Sequence, residues 1–203
     1  MILILLLPGI NLNLFSFDYI KRNIMRKKLN ISKNTLLVGN VGRLNFYKNQ
    51  IFLIKIIAEL KRAEPDSKLL LIGSGENYKR KLEFLSEKYG VSDSVIFTGN
   101  VNNVYDYMQA MDIFVFPSKF EGLGIVAIES QGVGLPVIAS NHVPREIKVT
   151  RNVYFMKLTD HPCEWANKIL NIRGYSRCDT SKEIKEHGYD IHQTAEIIRD
   201  LYL

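Results

Sequence analysis

An α/β fold with one doubly wound parallel sheet, Rossmann-like in its layering, is predicted from three features of the sequence. From Thr35 onward, short apolar runs alternate with segments of helical periodicity. The runs are continuous, as expected of strands covered by helices on both faces. Glycine-bearing loops follow several of the runs, and the carboxyl ends of such strands are where these sheets hold ligands. At 203 residues, with 46% apolar and 24% charged side chains, the chain has the length and balance of one sizeable globular domain.

The opening run, Met1 to Leu7, stops at Pro8-Gly9. That is far short of the ~20 apolar residues of a spanning helix, and it lacks the basic flank and cleavage site of a signal peptide. It reads as a short buried strand or the tail of an element, in a chain that is not secreted. Pro8 to Phe15 reads as a loop. Asp18 to Leu29 carries Tyr19, Ile20, Ile24, Met25 and Leu29 at helical spacing, which predicts a helix with these residues inward. Lys21, Arg22, Arg26, Lys27 and Lys28 would lie on the other side, as a solvated face or one that touches a membrane or phosphate.

The alternation then runs in order. Strands are expected at Leu36 to Val38, Leu69 to Ile72, Val95 to Phe97, Ile113 to Phe116, Pro136 to Ile138 and Val153 to Phe155. Helices are expected at Gln50 to Leu60, Tyr78 to Tyr89, Val104 to Ala110, Gly124 to Gln131, Pro162 to Ile172 and Asp190 to Leu201. Cys163 and Cys178 stand far apart in no CxxC pair, which argues against a zinc site or a disulfide framework and for a reducing cytoplasm. A net charge of +6 suits an anionic ligand or an anionic membrane surface.

Three loops carry candidate chemistry. In Val41-Gly42-Arg43-Leu44-Asn45-Phe46-Tyr47-Lys48, glycine admits a close ligand, and Arg43 and Lys48 are cations suited to phosphate. Taken alone these are two exposed basic residues in a βα loop. Gly73-Ser74-Gly75 begins like a dinucleotide fingerprint, but Tyr78 stands where the third glycine belongs, so a tight turn is the better reading and a dehydrogenase is disfavoured. In Pro117 to Glu129, two carboxylates, Glu121 and Glu129, stand eight positions apart, a span of ~12 Å if helical. Between them the N–H groups of Gly122, Leu123 and Gly124 would lie at a helix N-terminus, where unpaired donors and the helix dipole favour a diphosphate. Glu129 could accept both ribose hydroxyls and Glu121 a sugar hydroxyl. Spacing alone leaves this reading level with that of a capped amphipathic helix bearing two incidental glutamates.

The ordered set of motifs resembles the C-terminal, donor-binding domain of the retaining GT-B glycosyltransferases of family 4. It comprises Val41-Gly42-Arg43-Leu44 with Lys48, Ile72-Gly73-Ser74-Gly75, Phe97-Thr98-Gly99, Pro117-Ser118, Glu121-Gly122-Leu123-Gly124 with Glu129, and Gly134 to Ser140. Within that family, Glu121 to Pro144 resembles the exopolysaccharide and capsule enzymes of the EpsF type. The resemblance implies Arg43 and Lys48 on the donor diphosphate and Glu121 on the transferred sugar, these three being the catalytic candidates. It implies Glu129 on the ribose, Gly42, Gly122, Leu123 and Gly124 as backbone contacts, and Asn100 and Val101 near the base, with uridine expected. No metal and no cofactor are implied; the nucleotide sugar is substrate. His187 and His192 are read as surface or packing residues.

Pro8-Gly9-Ile10-Asn11 resembles the family's interdomain linker. Residues 1–15 are therefore expected to be a linker remnant and 16–203 the donor-binding domain, with an acceptor domain missing and the isolated chain inactive. Expected partners are a nucleotide sugar, an acceptor-domain chain and peripheral membrane contact, with no nucleic acid. The expected location is the cytoplasm, at the inner membrane face. The alternatives are a non-catalytic nucleotide-sugar-binding remnant and, less well supported, a sugar-nucleotide epimerase.

Overall fold

Apolar side chains on both faces of each strand require cover on both sides. In the computed structural model, which describes residues 8–202, helices supply it. Among the described residues the strands are β1 (Leu37–Val41), β2 (Lys68–Ile72), β3 (Val95–Gly99), β4 (Ile113–Phe116), β5 (Val137–Ser140) and β6 (Val153–Met156). They form one parallel sheet in the order β3-β2-β1-β4-β5-β6. The order reverses between β1 and β4, which opens a crevice at the carboxyl ends of those two strands.

The helices are α1 (Tyr19–Lys28), α2 (Gln50–Ala63), α3 (Glu76–Lys88), α4 (Val104–Ala110), α5 (Ile125–Gly132), α6 (Pro162–Ile172), α7 (Ser181–Glu186) and α8 (Ile191–Tyr202). Phe114 and Phe116 of β4 pack with Met25 of α1, Met108 of α4 and Ile128 of α5 on one side of the sheet. Ile113 and Val115 of the same strand pack with Leu53 and Ile57 of α2, Leu82 of α3 and Trp165 of α6 on the other. Period two along one strand thus feeds two cores.

The predicted helices and strands are all present, with shifted ends. The helix starting at Glu76 takes Gly75 as its N-cap, two residues ahead of the expected start at Tyr78. Helix α5 begins at Ile125, with Gly124 as N-cap. The ~12 Å helical span between Glu121 and Glu129 is therefore corrected, because only the stretch from Ile125 onward is helical. Helix α7 was not expected; it buries a single apolar side chain, Ile184, too few to show periodicity. The run from Met1 to Leu7 lies outside the described residues.

Helix α1 overturns an expectation. Tyr19, Ile20 and Ile24 are exposed, while Arg26 is buried and Arg22 half-buried. The reason is polar. Arg22 donates to the carbonyls of Gln109, Ala110 and Met111 and pairs with Asp112, and Arg26 donates to the carbonyls of Ala110 (2.8 Å) and Thr35 (2.6 Å) and also pairs with Asp112. Asp112 in turn accepts the N–H of Leu37 at 2.7 Å. Arg177 joins from the C-terminal side through the Met111 carbonyl; burial and the nearby Arg22 push its pKa down to about 9. These groups lie where β1 and β4 begin, so α1 sits along the amino edge of the sheet.

Residues 10–15 pack as part of the domain. Ile10, Leu12 and Phe15 are buried, and Ile10 exchanges backbone hydrogen bonds with Tyr189 and Ile191. His187 and His192 are exposed, and both cysteines are free thiols. Among the described residues no helix is long and apolar enough to cross a membrane.

Candidate functional site

At the carboxyl edge, the loops after β1, β2 and β3 interlace. Gly42 donates to the Ile72 carbonyl, Leu44 to Ser74 and Gly73 to Gly99, each at 2.9 Å. Gly73 has φ +136°, and a Cβ there would lie 2.1 Å from the Gly42 carbonyl oxygen, so the close approach of the two loops requires glycine. The Gly73-Ser74-Gly75 segment is thus a packing turn that ends as the N-cap of α3. Together the loops frame an open recess of about 370 Å³ lined by Gly42, Arg43, Ser74, Asn100, Val101 and Val104, among others. The structure therefore brings together four of the predicted residues: Gly42, Arg43, Asn100 and Val101.

Side chains absent from the sequence reading hold the β1 loop in shape. Gln50 is buried at the start of α2; it accepts the N–H of Asn45 and donates to the Arg43 carbonyl. Asn49 has φ +58° and donates to the Pro117 carbonyl, tying this loop to the one after β4. Lys119 adds a second tie, donating its N–H to the Tyr47 carbonyl at 2.7 Å. A buried Asn40 in β1 donates to the Val115 carbonyl. Polar residues within or next to apolar runs were the available signal, since such groups are buried only with partners.

Lys48 and Glu121, 73 positions apart, form an ion pair with Nζ 2.7 and 3.0 Å from the two carboxylate oxygens. The ammonium also lies 5.0 Å from the centre of the buried Phe116 ring. Two free cations were expected in the β1 loop. Lys48 is instead neutralised by the acid expected to face the sugar, and the exposed Arg43 guanidinium makes no ion pair among the described residues.

After Glu121 the chain passes Gly122, Leu123 and Gly124 into α5. Gly124 has φ +79°, a left-handed N-cap, and no side chain caps the helix. Among the described residues, the N–H groups of Gly122, Leu123 and Gly124 donate to no protein acceptor. Such an end presents donors and the positive pole of the helix. In the second turn of α5, Glu129 is half-buried and its carboxylate has no partner among the described residues; burial raises its pKa above the ordinary carboxylate value. Glu129 shares no hydrogen bond with the other candidates. The arrangement can therefore receive anionic oxygens at the helix end and, at Glu129, hydroxyl donors. In the loop after β4, Ser118 is fully buried and its hydroxyl has no partner among the described residues, while its carbonyl accepts the Ser140 hydroxyl.

Comparison with known proteins identifies the family and the fold. The profile of the family described as glycosyl transferases group 1 matches residues 21–169. The glycosyltransferase EpsF of Bacillus subtilis is 30% identical over 97% of this chain and 52% of its own length. The capsular polysaccharide biosynthesis glycosyltransferase CapH of Staphylococcus aureus is 29% identical over 86% of this chain and 50% of its own. The chain thus spans about half the length of these relatives. The crystal structure of Anabaena HepE in complex with UDP and glucose superposes with a TM-score of 0.79 at 23% identity, over 96% of this chain and 55% of that one. The fold is that of one half of a GT-B glycosyltransferase. With most of its length matched by the family profile, the chain belongs to the group 1 glycosyl transferases.

Proposed function

We propose that the chain is the donor-binding domain of a retaining, family 4 glycosyltransferase, which takes a nucleoside-diphosphate sugar and passes the sugar to a polysaccharide or lipid-linked acceptor. The observation that carries this reading is the uncapped start of α5, with the ion-paired Glu121 just before it in the chain and Glu129, without a partner among the described residues, one turn into the helix. The diphosphate rests on the N–H groups of Gly122, Leu123 and Gly124 and on Arg43, which stabilise the charge that grows on it as it departs. Lys48 turns toward the same oxygens when the donor arrives, which frees Glu121 to accept a sugar hydroxyl. Glu129 accepts the ribose hydroxyls, and the base lies in the recess by Asn100 and Val101. UDP is the expected nucleotide; HepE, one of the structural neighbours, was crystallised with it.

In the reaction the bond from the anomeric carbon to the diphosphate breaks and the acceptor oxygen bonds that carbon on the same face. The acceptor's proton leaves with the departing phosphate. No metal or cofactor enters this scheme. The acceptor pocket comes from a second domain or chain, so the chain alone is expected to bind donor without turnover. Location in the cytoplasm, with peripheral contact at the inner membrane face, belongs to the same proposal and is supported by the net charge of +6.

Calorimetric titration with UDP, GDP and ADP tests the donor reading. Weak, measurable binding with UDP preferred is expected, and no binding of any of the three would refute it. The titration carries a pH signature. Ribose hydroxyls donate to the ionised carboxylate, so the bound state favours loss of the Glu129 proton. UDP-glucose affinity should therefore fall as pH drops through the raised Glu129 range, and Glu129→Gln should flatten the profile. A profile identical in both proteins would remove Glu129 from the ribose.

A further inference from the structure

Helix α1 is amphipathic the wrong way round for a helix that serves only its own core. Its inner face carries Arg22, Met25 and Arg26, and its outer face shows Tyr19 at 63%, Ile20 at 70% and Ile24 at 62% exposure. Ile20, Asn23, Ile24 and Lys27 follow one another at the spacing of a single stripe. Between Tyr19 and Asn34 the sequence has six basic residues and no acidic one. Two of the six, Arg22 and Arg26, are used inward. Lys27, Lys28 and Lys33 are exposed and Lys21 is half-exposed, beside the apolar stripe.

A second feature lies at the C-terminal end of that stripe. An open recess of about 630 Å³ is lined by Asn23, Arg26, Lys27, Asn30, Ser32 and Lys33, with Ile31. Arg26 is 4% exposed, and its terminal nitrogens are taken by the carbonyls of Ala110, Ser32 and Thr35 and by Asp112. Its Nε is buried with no hydrogen-bond partner among the described residues. Arg26 is thus held by the protein itself, and the Lys27 and Lys33 ammonium groups of the same recess suit a phosphoryl oxygen.

We propose that the outer face of α1 docks on an anionic lipid bilayer. Tyr19, Ile20 and Ile24 enter the boundary between headgroups and acyl chains, and the recess between Lys27 and Lys33 takes a headgroup phosphate. This deepens the membrane contact proposed above and does not depend on the donor site. The charge pattern chooses the occupant. A second copy of the chain would set the lysines of this segment against one another, with no acid between Tyr19 and Asn34 to answer them. A domain closing over the donor site would lie at the carboxyl edge, whereas α1 and its recess lie at the amino edge. Bilayer contact at α1 therefore leaves the donor crevice open to soluble nucleotide.

Sedimentation of the full chain with vesicles tests this, using phosphatidylcholine alone and phosphatidylcholine with one-third phosphatidylglycerol. Binding to the anionic vesicles is expected, at least tenfold weaker on the neutral ones and reduced by added salt. The surface variants Ile20→Ser/Ile24→Ser and Lys27→Glu/Lys33→Glu should each lower anionic binding roughly tenfold or more, with melting temperature and UDP affinity unchanged. Equal binding to both vesicle types, or unchanged binding by both variants, overturns the proposal. So does a dimer in light scattering that Ile20→Ser/Ile24→Ser dissolves, since the face is then a self-contact. Loss of UDP binding with vesicle binding intact supports the docking face and counts against the donor site alone.

Discussion

Glu129→Ala is expected to weaken UDP binding roughly 10- to 100-fold while raising the thermal stability of the nucleotide-free protein. The two effects have one cause. Burial holds the Glu129 pKa above that of the unfolded chain, so the folded state binds its proton more tightly. Stability is therefore lost as pH rises from the ordinary glutamate range to the raised value, and at neutral pH the ionised, partnerless carboxylate remains a cost. Alanine removes that cost. The ribose hydroxyls would convert the same carboxylate into a partnered group, and hydrogen bonds to a charged group contribute about 1.5–3 kcal/mol, which sets the expected loss of affinity. Arg43→Ala should weaken UDP by a similar factor through the diphosphate, with little effect on stability because its guanidinium is exposed and makes no ion pair among the described residues. Unchanged affinity in both variants would falsify the assignment of this site.

Asp112→Ala is expected to give the largest loss of stability, about 3 kcal/mol in chemical denaturation. The figure is at the low end for a broken buried pair because Asp112 is partly solvated. The carboxylate faces Arg22 and Arg26 with Arg177 close by, and it also accepts the Leu37 N–H where β1 begins. Without it the cationic cluster keeps only carbonyls, and a backbone donor at the edge of the central strand loses its acceptor. The cluster lies across the sheet from the donor crevice, so UDP affinity per folded molecule should be preserved. A stability change below about 0.5 kcal/mol would mean that water replaces the carboxylate at little cost.

The sheet was legible because its strands are covered on both sides and therefore read as unbroken apolar runs, as in Ile113 to Phe116. The α5 loop was legible as a motif, but its geometry was not. A sequence does not show that Gly124 takes a left-handed cap and delays the helix by one residue. The Lys48–Glu121 pair joins residues 73 positions apart, a distance at which spacing carries no information. Helix α1 was misread for a related reason. Periodicity places Ile20 and Ile24 inward unless one knows that Asp112 and three carbonyls wait opposite Arg22 and Arg26, and those partners lie more than 80 positions downstream. Polar partners distant in sequence decided the Lys48–Glu121 pair and the seating of α1, whereas local apolar pattern decided the layers.

A crystal soaked in UDP examines the donor site most directly. The expected result is a diphosphate in hydrogen-bond reach of the N–H groups at Gly122 to Gly124, with the ribose on Glu129 and the base beside Asn100. A nucleotide bound away from the start of α5, or one whose ribose leaves the Glu129 carboxylate unpartnered, would contradict it.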